Sequence, residues 1–164
     1  MRFYLAQEGH TVPLLSSQDV HAGTQTPWFN LKTGRHVSII VALGAVNGQP
    51  GAVTVKAATD INGDNAQAIP FDVFECTIQN SDVLGPRTPC TAAGFVPANV
   101  ADTFYVIELD ADTAFNPLFN DTVDVPYCYL AVAIAAGGTA VPATVIAILS
   151  DQRFAEDQSP SVLV

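Results

Sequence analysis

Apolar and polar residues alternate along much of this chain with the two-residue period of extended backbone, and no long stretch follows the 3.6-residue period of an amphipathic helix. His36 to Leu43 and Ala52 to Ala58 read as strands, the second placing Val53 and Val55 toward a core and Thr54 and Lys56 toward water. Asn47-Gly48 and Pro50-Gly51 lie between them and predict a reversal, so the two strands are expected to form a hairpin with a slightly long loop. Ile69 to Thr77 is a further strand, with Phe71, Val73 and Glu75 on one face and Asp72, Phe74 and Cys76 on the other. Its Pro70 has no N–H to give to a ladder, which suits a strand start near an open edge. Thr103 to Asp110 is another strand. Between residues 78 and 101, Pro86, Pro89 and Pro97 with Gly85 and Gly94 predict loop, broken by a short strand near Cys90.

The stretch from Val125 to Ser150 carries no charged side chain, and its length alone would allow a membrane-spanning helix. Gly137-Gly138 and Pro142 interrupt it, and either side stand Tyr127 to Ile134 and Thr144 to Leu149, each with the length and the β-branched or aromatic content of a strand. The reading is two strands joined at the Gly-Gly turn as a hairpin. Short strands spaced by turn signals, with no helix and no internal repeat, predict an all-β fold, an antiparallel β-sandwich or a jelly-roll-like barrel with extended terminal arms. One domain is expected: residues 1–30 as an N-terminal arm or edge segment, 31–150 as the β core, and 151–164 as a polar C-terminal tail.

With 164 residues, 49% of them hydrophobic and only 13% charged, the chain is large enough to bury a core and too apolar to be disordered. So few charges leave two ways to cover the surface: uncharged polar side chains, or contacts with other subunits. Sixteen acidic against six basic residues give a formal charge of −10, which repels phosphate backbones, and the cations are scattered. Nucleic acid is therefore not an expected partner, and neither is a membrane. The N-terminal Met1 to Glu8 has no apolar signal-peptide core, so Asn120-Asp-Thr122 is read as an accidental glycosylation sequon.

Chemical signatures are sparse. Cys76, Cys90 and Cys128 form no CxxC pair and read as small thiols in a reducing compartment. His10, His21 and His36 have no neighbouring carboxylate at helical spacing; Ser38 or Cys90 with one histidine is a conceivable nucleophile arrangement, and no enzyme is expected. Asp60-Ile-Asn-Gly-Asp64 imitates the opening of a calcium loop. An EF-hand needs Gly sixth and Glu twelfth, whereas Gly63 is fourth and Phe71 twelfth, so a turn is the reading. No catalytic residue, cofactor or metal is predicted. Trp28-Phe29 is an aromatic pair able either to anchor an interface or to plug one end of a sandwich.

The order Trp28-Phe-Asn-Leu-Lys-Thr-Gly-Arg-His-Val-Ser-Ile-Ile-Val-Ala-Leu-Gly44, Val53-Thr-Val-Lys-Ala57, Leu84-Gly-Pro-Arg-Thr88, Thr91-Ala-Ala-Gly94, Phe104 to Asp110, Ala147-Ile-Leu-Ser-Asp-Gln-Arg-Phe154 and Asp157-Gln-Ser-Pro-Ser161 resembles small structural proteins of tailed bacteriophages, capsid decoration or auxiliary head proteins above all. The resemblance covers residues 20 to 162 and carries no catalytic signature. It implies a virion component, made in the host cytoplasm and placed on the outer capsid surface, whose partners are the major capsid protein and further copies of itself as a dimer or trimer. The interface residues on this reading are Trp28, Phe29, Arg35, Arg87, Arg153 and Phe154. A tail or head-tail adaptor part, and a carbohydrate-binding module using Trp28, Tyr105, Tyr127 and Tyr129, are the alternatives.

Overall fold

The computed structural model describes residues 9–31, 35–115, 127–150 and 163, and within them nearly all regular structure is antiparallel β-sheet. In chain order the strands are β1 (His10–Asp19), β2 (Thr24–Gln25), β3 (Phe29–Asn30), β4 (His36–Leu43), β5 (Val53–Ala58), β6 (Gln67–Ile69), β7 (Phe71–Cys76), β8 (Thr88–Cys90), β9 (Thr103–Asp110), β10 (Tyr129–Ile134) and β11 (Pro142–Ser150). One helical turn, α1 (Ala111–Phe115), follows β9. A large sheet runs β1-β11-β4-β9-β7-β8 and a small one runs β2-β10-β5-β6, with β3 also paired to β10. The two sheets form a sandwich-like arrangement and no closed barrel, which settles the fold class between the two forms expected.

Strict alternation builds the large sheet. Val37, Ile39, Val41 and Leu43 of β4 point inward, as do Tyr105, Ile107 and Leu109 of β9 and Ala143, Val145, Ala147 and Leu149 of β11, all buried. From the small sheet Val53, Val55, Leu130, Val132 and Ile134 meet them in one continuous hydrophobic cluster. Burying such aliphatic side chains stabilises by about 1.5–3 kcal/mol each, which is why the period-2 pattern decides the layers. Phe95 enters the same core from the long excursion after β8: it exchanges backbone hydrogen bonds with Val53 and packs its ring 5.0 Å from that of Tyr105. The fully buried Tyr105 hydroxyl accepts the N–H of Ala98 at 2.8 Å.

Three expected connections come out differently. β4 and β5 do not form a hairpin: β4 pairs with β9 and β11, whereas β5 pairs with β10 and β6 in the other sheet. β10 and β11 are likewise strands in different sheets and not the two arms of a hairpin. The expected single strand from Ile69 to Thr77 breaks at Pro70, with β6 in the small sheet and β7 in the large one. For the first two the physical reason is shared. Residues 44–52 and 135–141 are longer than a two-residue hairpin turn and long enough to cross the ~10 Å between packed sheets. The strands they join then face each other across the core, where both apolar faces are buried.

The two crossing segments brace each other. Asn47 donates its N–H to the Ala140 carbonyl at 2.7 Å and accepts from the Thr139 N–H at 2.8 Å, and the Ala135 N–H reaches the Ala52 carbonyl at 2.8 Å. The contact is close enough to require glycine: a Cβ on Gly51 would overlap the Ala135 carbonyl, and one on Gly137 would meet the Gly51 nitrogen. Residues 20–24 join the same corner, since Gly137 donates to the His21 carbonyl at 2.9 Å and Asp19 accepts the Val141 N–H at 2.8 Å. Hydrogen bonds from the Val141 and His21 N–H groups hold the Asp19 carboxyl below its ordinary value.

No helix among the described residues is long and apolar enough to cross a membrane. The uncharged stretch is instead accounted for by burial: β10 and β11 are each apolar on their inward face and partly so on their outward face, which yields near-continuous hydrophobic runs.

Candidate functional site on the outer face of the large sheet

Pairing register puts one residue from each of five strands in a single row across the outside of the large sheet. Pro13 stands opposite Ile146, Ile146 opposite Ile40, Ile40 opposite Val106, and Val106 opposite Phe74. None of the five is buried: Pro13 is exposed and the other four are half-buried. An antiparallel sheet with one face in water ordinarily carries polar side chains at such positions. Here the neighbouring row, Thr11, Ile148, Ser38, Glu108 and Asp72, is mostly polar, and the apolar row runs beside it.

At the His36 end of this face the polar side chains converge. Glu108 and Asp110 are two apart on β9 and so share the outward face, directly alongside His36 at the start of β4. The imidazole sits between them, Nε2 at 2.6 Å from Glu108 Oε2 and Nδ1 at 2.8 Å from Asp110 Oδ1, while Ser38 Oγ donates to Glu108 Oε2 at 2.8 Å. Burial alone would lower the pKa of His36, but hydrogen bonding to Asp110 and Glu108 and their negative charge outweigh it and raise the pKa above the ordinary 6.5. Next to this cluster, Arg87 reaches Asp72 of β7 at 2.5 Å. His36, Asp72, Arg87, Glu108 and Asp110 rim an open cleft of about 480 Å³ floored by Phe71, Phe74 and Leu109.

A serine, a histidine and a glutamate have thus met, but in an order that does not activate the serine. Both imidazole nitrogens face carboxylates, leaving none to take a proton from Ser38, which donates to Glu108 directly. Cys90 stands apart at the sheet edge, its pKa raised chiefly by burial, the opposite of thiolate activation. Among the described residues no group of His, Cys, Asp or Glu is placed to hold a metal ion. Asp60 folds its own loop instead, its Oδ1 accepting the Asn62 and Asp64 N–H groups at 3.0 and 2.8 Å in the turn between β5 and β6.

The residues singled out from the sequence are not gathered in one place. Phe29 is fully buried in the main core. Trp28, 9% exposed, covers Ala58 and Ala131 on the outside of the small sheet, with Tyr129 beside it. Arg87 lies at the cleft, whereas Arg35 is exposed at the start of β4, its carbonyl accepting the Ala111 N–H at 2.8 Å. Arg153 and Phe154 lie outside the described residues. Tyr105 and Tyr127 are buried along with Trp28, so three of the four rings considered for stacking on a sugar are covered. Sequence reasoning missed Glu108, Asp110 and Asp72. Their alternation along β7 and β9 was visible, but the register that sets them beside His36 was not.

No family model matches the chain, and no curated protein matches it in sequence. Among solved structures, the crystal structure of SPBc2 prophage-derived protein YomS is similar at a TM-score of 0.42 and 10% identity, over 86% of this chain and 93% of that one. So loose a superposition carries no functional inference.

Proposed function

We propose that this chain is a structural protein of a tailed-phage virion, most specifically a capsid decoration protein that binds the outer surface of the head and stabilises it by bridging coat subunits. The observation that carries the reading is the apolar row of Pro13, Ile146, Ile40, Val106 and Phe74 on the outer face of the large sheet, apolar surface of the kind that marks association sites. Three further features support it. The order of segments resembles that of auxiliary head proteins. The sandwich buries one continuous hydrophobic core. The formal charge of −10 favours a position outside a DNA-filled shell over one against the phosphates within. Partners on this reading are the major capsid protein and further copies of the chain, in a dimer or trimer on a local symmetry axis.

The test is co-sedimentation of purified protein with expanded, DNA-filled heads lacking it, followed by heating. Saturable binding together with raised heat resistance is the expected result. Binding to no form of the head removes the proposal, and label found on the tail alone in electron micrographs moves the protein to a tail or adaptor role.

A further inference from the structure

We propose that His36, Glu108 and Asp110 form a proton-operated clasp that fastens the start of β4 to the end of β9 and opens as pH rises. The inference is independent of the virion reading. It begins with donor counting. A neutral imidazole has one N–H and one lone pair, so it can satisfy one carboxylate only; the other would face the lone pair across less than 3 Å. With both carboxylates ionised, nitrogen–oxygen distances of 2.6 and 2.8 Å on both sides of the ring are hydrogen bonds only when both nitrogens donate, which only the imidazolium does. The proton is thus part of the contact.

Among the described residues the surroundings supply no substitute for it. On β9 the facing groups are Glu108 and Asp110 themselves. From β7 comes a third carboxylate, Asp72, opposite Glu108 in register, and Arg87 is already paired with it. On the other flank the register partner of His36 is the uncharged Ser150 of β11. Ser38 gives its one proton to Glu108, the Arg35 side chain is exposed, and Asp112 on α1 is exposed too. Asp151, next in sequence after Ser150, lies outside the described residues. Loss of the His36 proton therefore leaves Glu108, Asp110 and Asp72 on one face, with Arg87 as the remaining cation among the described residues that line the cleft.

What opens is also defined. His36 is the first residue of β4 and Asp110 the last of β9, and the next bond outward is the Ala111 N–H to the Arg35 carbonyl at 2.8 Å. The clasp closes this end of the large sheet where the chain turns into α1, at the rim of the cleft. Its sign follows from the raised pKa: the stabilisation is fully present below about 6.5 and is lost as pH rises through the higher folded-state value.

The experiment follows the three histidine ring signals by NMR from about pH 5 to pH 10, assigned with His36→Gln, and in parallel the exchange rate of the Ala111 amide. His36 is expected to titrate above 6.5, to titrate lower in both Glu108→Gln and Asp110→Asn, and, as it loses its proton, to accelerate Ala111 exchange beyond the intrinsic rise of base-catalysed exchange with pH. The thermal midpoint of the wild type should fall by roughly 2–4 °C across that transition, a step absent from His36→Gln. Titration at or below 6.5, or a transition unaffected by either carboxylate variant, overturns the clasp. Should His36→Gln fail to fold, the two carboxylate variants decide alone, since each retains the histidine being titrated.

Discussion

The outer faces of the two sheets meet the same problem and solve it differently. On the small sheet the outward positions are Thr54, Lys56 and Ala58 of β5 and Tyr129, Ala131 and Ala133 of β10, and the chain seals the apolar part itself: Trp28 lies over Ala58 and Ala131, and the 60–65 turn closes over the indole. Polar contacts finish that face, with Lys56 Nζ donating to Gln25 at 3.1 Å. On the large sheet the row from Pro13 to Phe74 is comparably apolar, yet none of its side chains is buried. An apolar surface sealed by its own chain is core, whereas one left half-open is free to bind. Lone tryptophans draw the eye in a sequence, but here the tryptophan marks the finished face and ordinary aliphatics mark the unfinished one.

The largest expected effect tests the sealed face. Trp28→Ala should cost about 3–5 kcal/mol, read from urea unfolding; a cost near zero would mean the indole covers nothing that matters. Next comes the lid that holds it. Gly63 has φ +87°, and a Cβ there would lie 2.6 Å from Trp28 Nε1, so Gly63→Ala should cost about 1–3 kcal/mol and alter tryptophan fluorescence. If fluorescence stays unchanged, turn and indole are not coupled.

On the open face the expectation reverses. The double variant Ile40→Thr/Val106→Thr should lose no more than about 1 kcal/mol of stability and, under the proposed decoration role, weaken binding to phage heads at least tenfold, about 1.4 kcal/mol. Unfolding by that variant would show that the row is sealed after all, and unchanged head binding would place the contact elsewhere. The smallest effect lies at the corner where the sheets cross. The pKa of Asp19 is lowered from 3.8 by bonds from the Val141 and His21 N–H groups, so its stabilisation is present above 3.8 and disappears as pH falls through the lower folded-state value. Urea midpoints of wild type and Asp19→Asn measured between about pH 2 and pH 5 should converge toward the acid end; parallel curves would remove the carboxylate from the account.

Strand identity was legible from His36 onward, whereas β1, β2 and β3 lie in the segment read as an N-terminal arm or edge, where β1 pairs with β11 and sends Val12, Leu14 and Leu15 into the core. His36 to Leu43, Ala52 to Ala58, Thr103 to Asp110 and the two halves of the uncharged stretch are β4, β5, β9, β10 and β11 within a few residues. Pairing was not legible. Asn47-Gly48 and Gly137-Gly138 mark reversals whether the chain returns beside itself or across a core, and nothing local distinguishes the two. The candidate site was legible only as unconnected pieces, since His36, Glu108 and Asp72 lie far apart in the chain and become neighbours through the β4–β9–β7 register.

Composition and period-2 alternation by themselves determined an antiparallel all-β unit with a defined inward face, because burying alternate side chains is the dominant favourable term and depends on local sequence alone. Only the tertiary structure decided which strands lie side by side, which histidine sits between two carboxylates, and which apolar face stays half-exposed. Each of those depends on contacts between residues distant in the chain, whose energies exist only once the layers have closed.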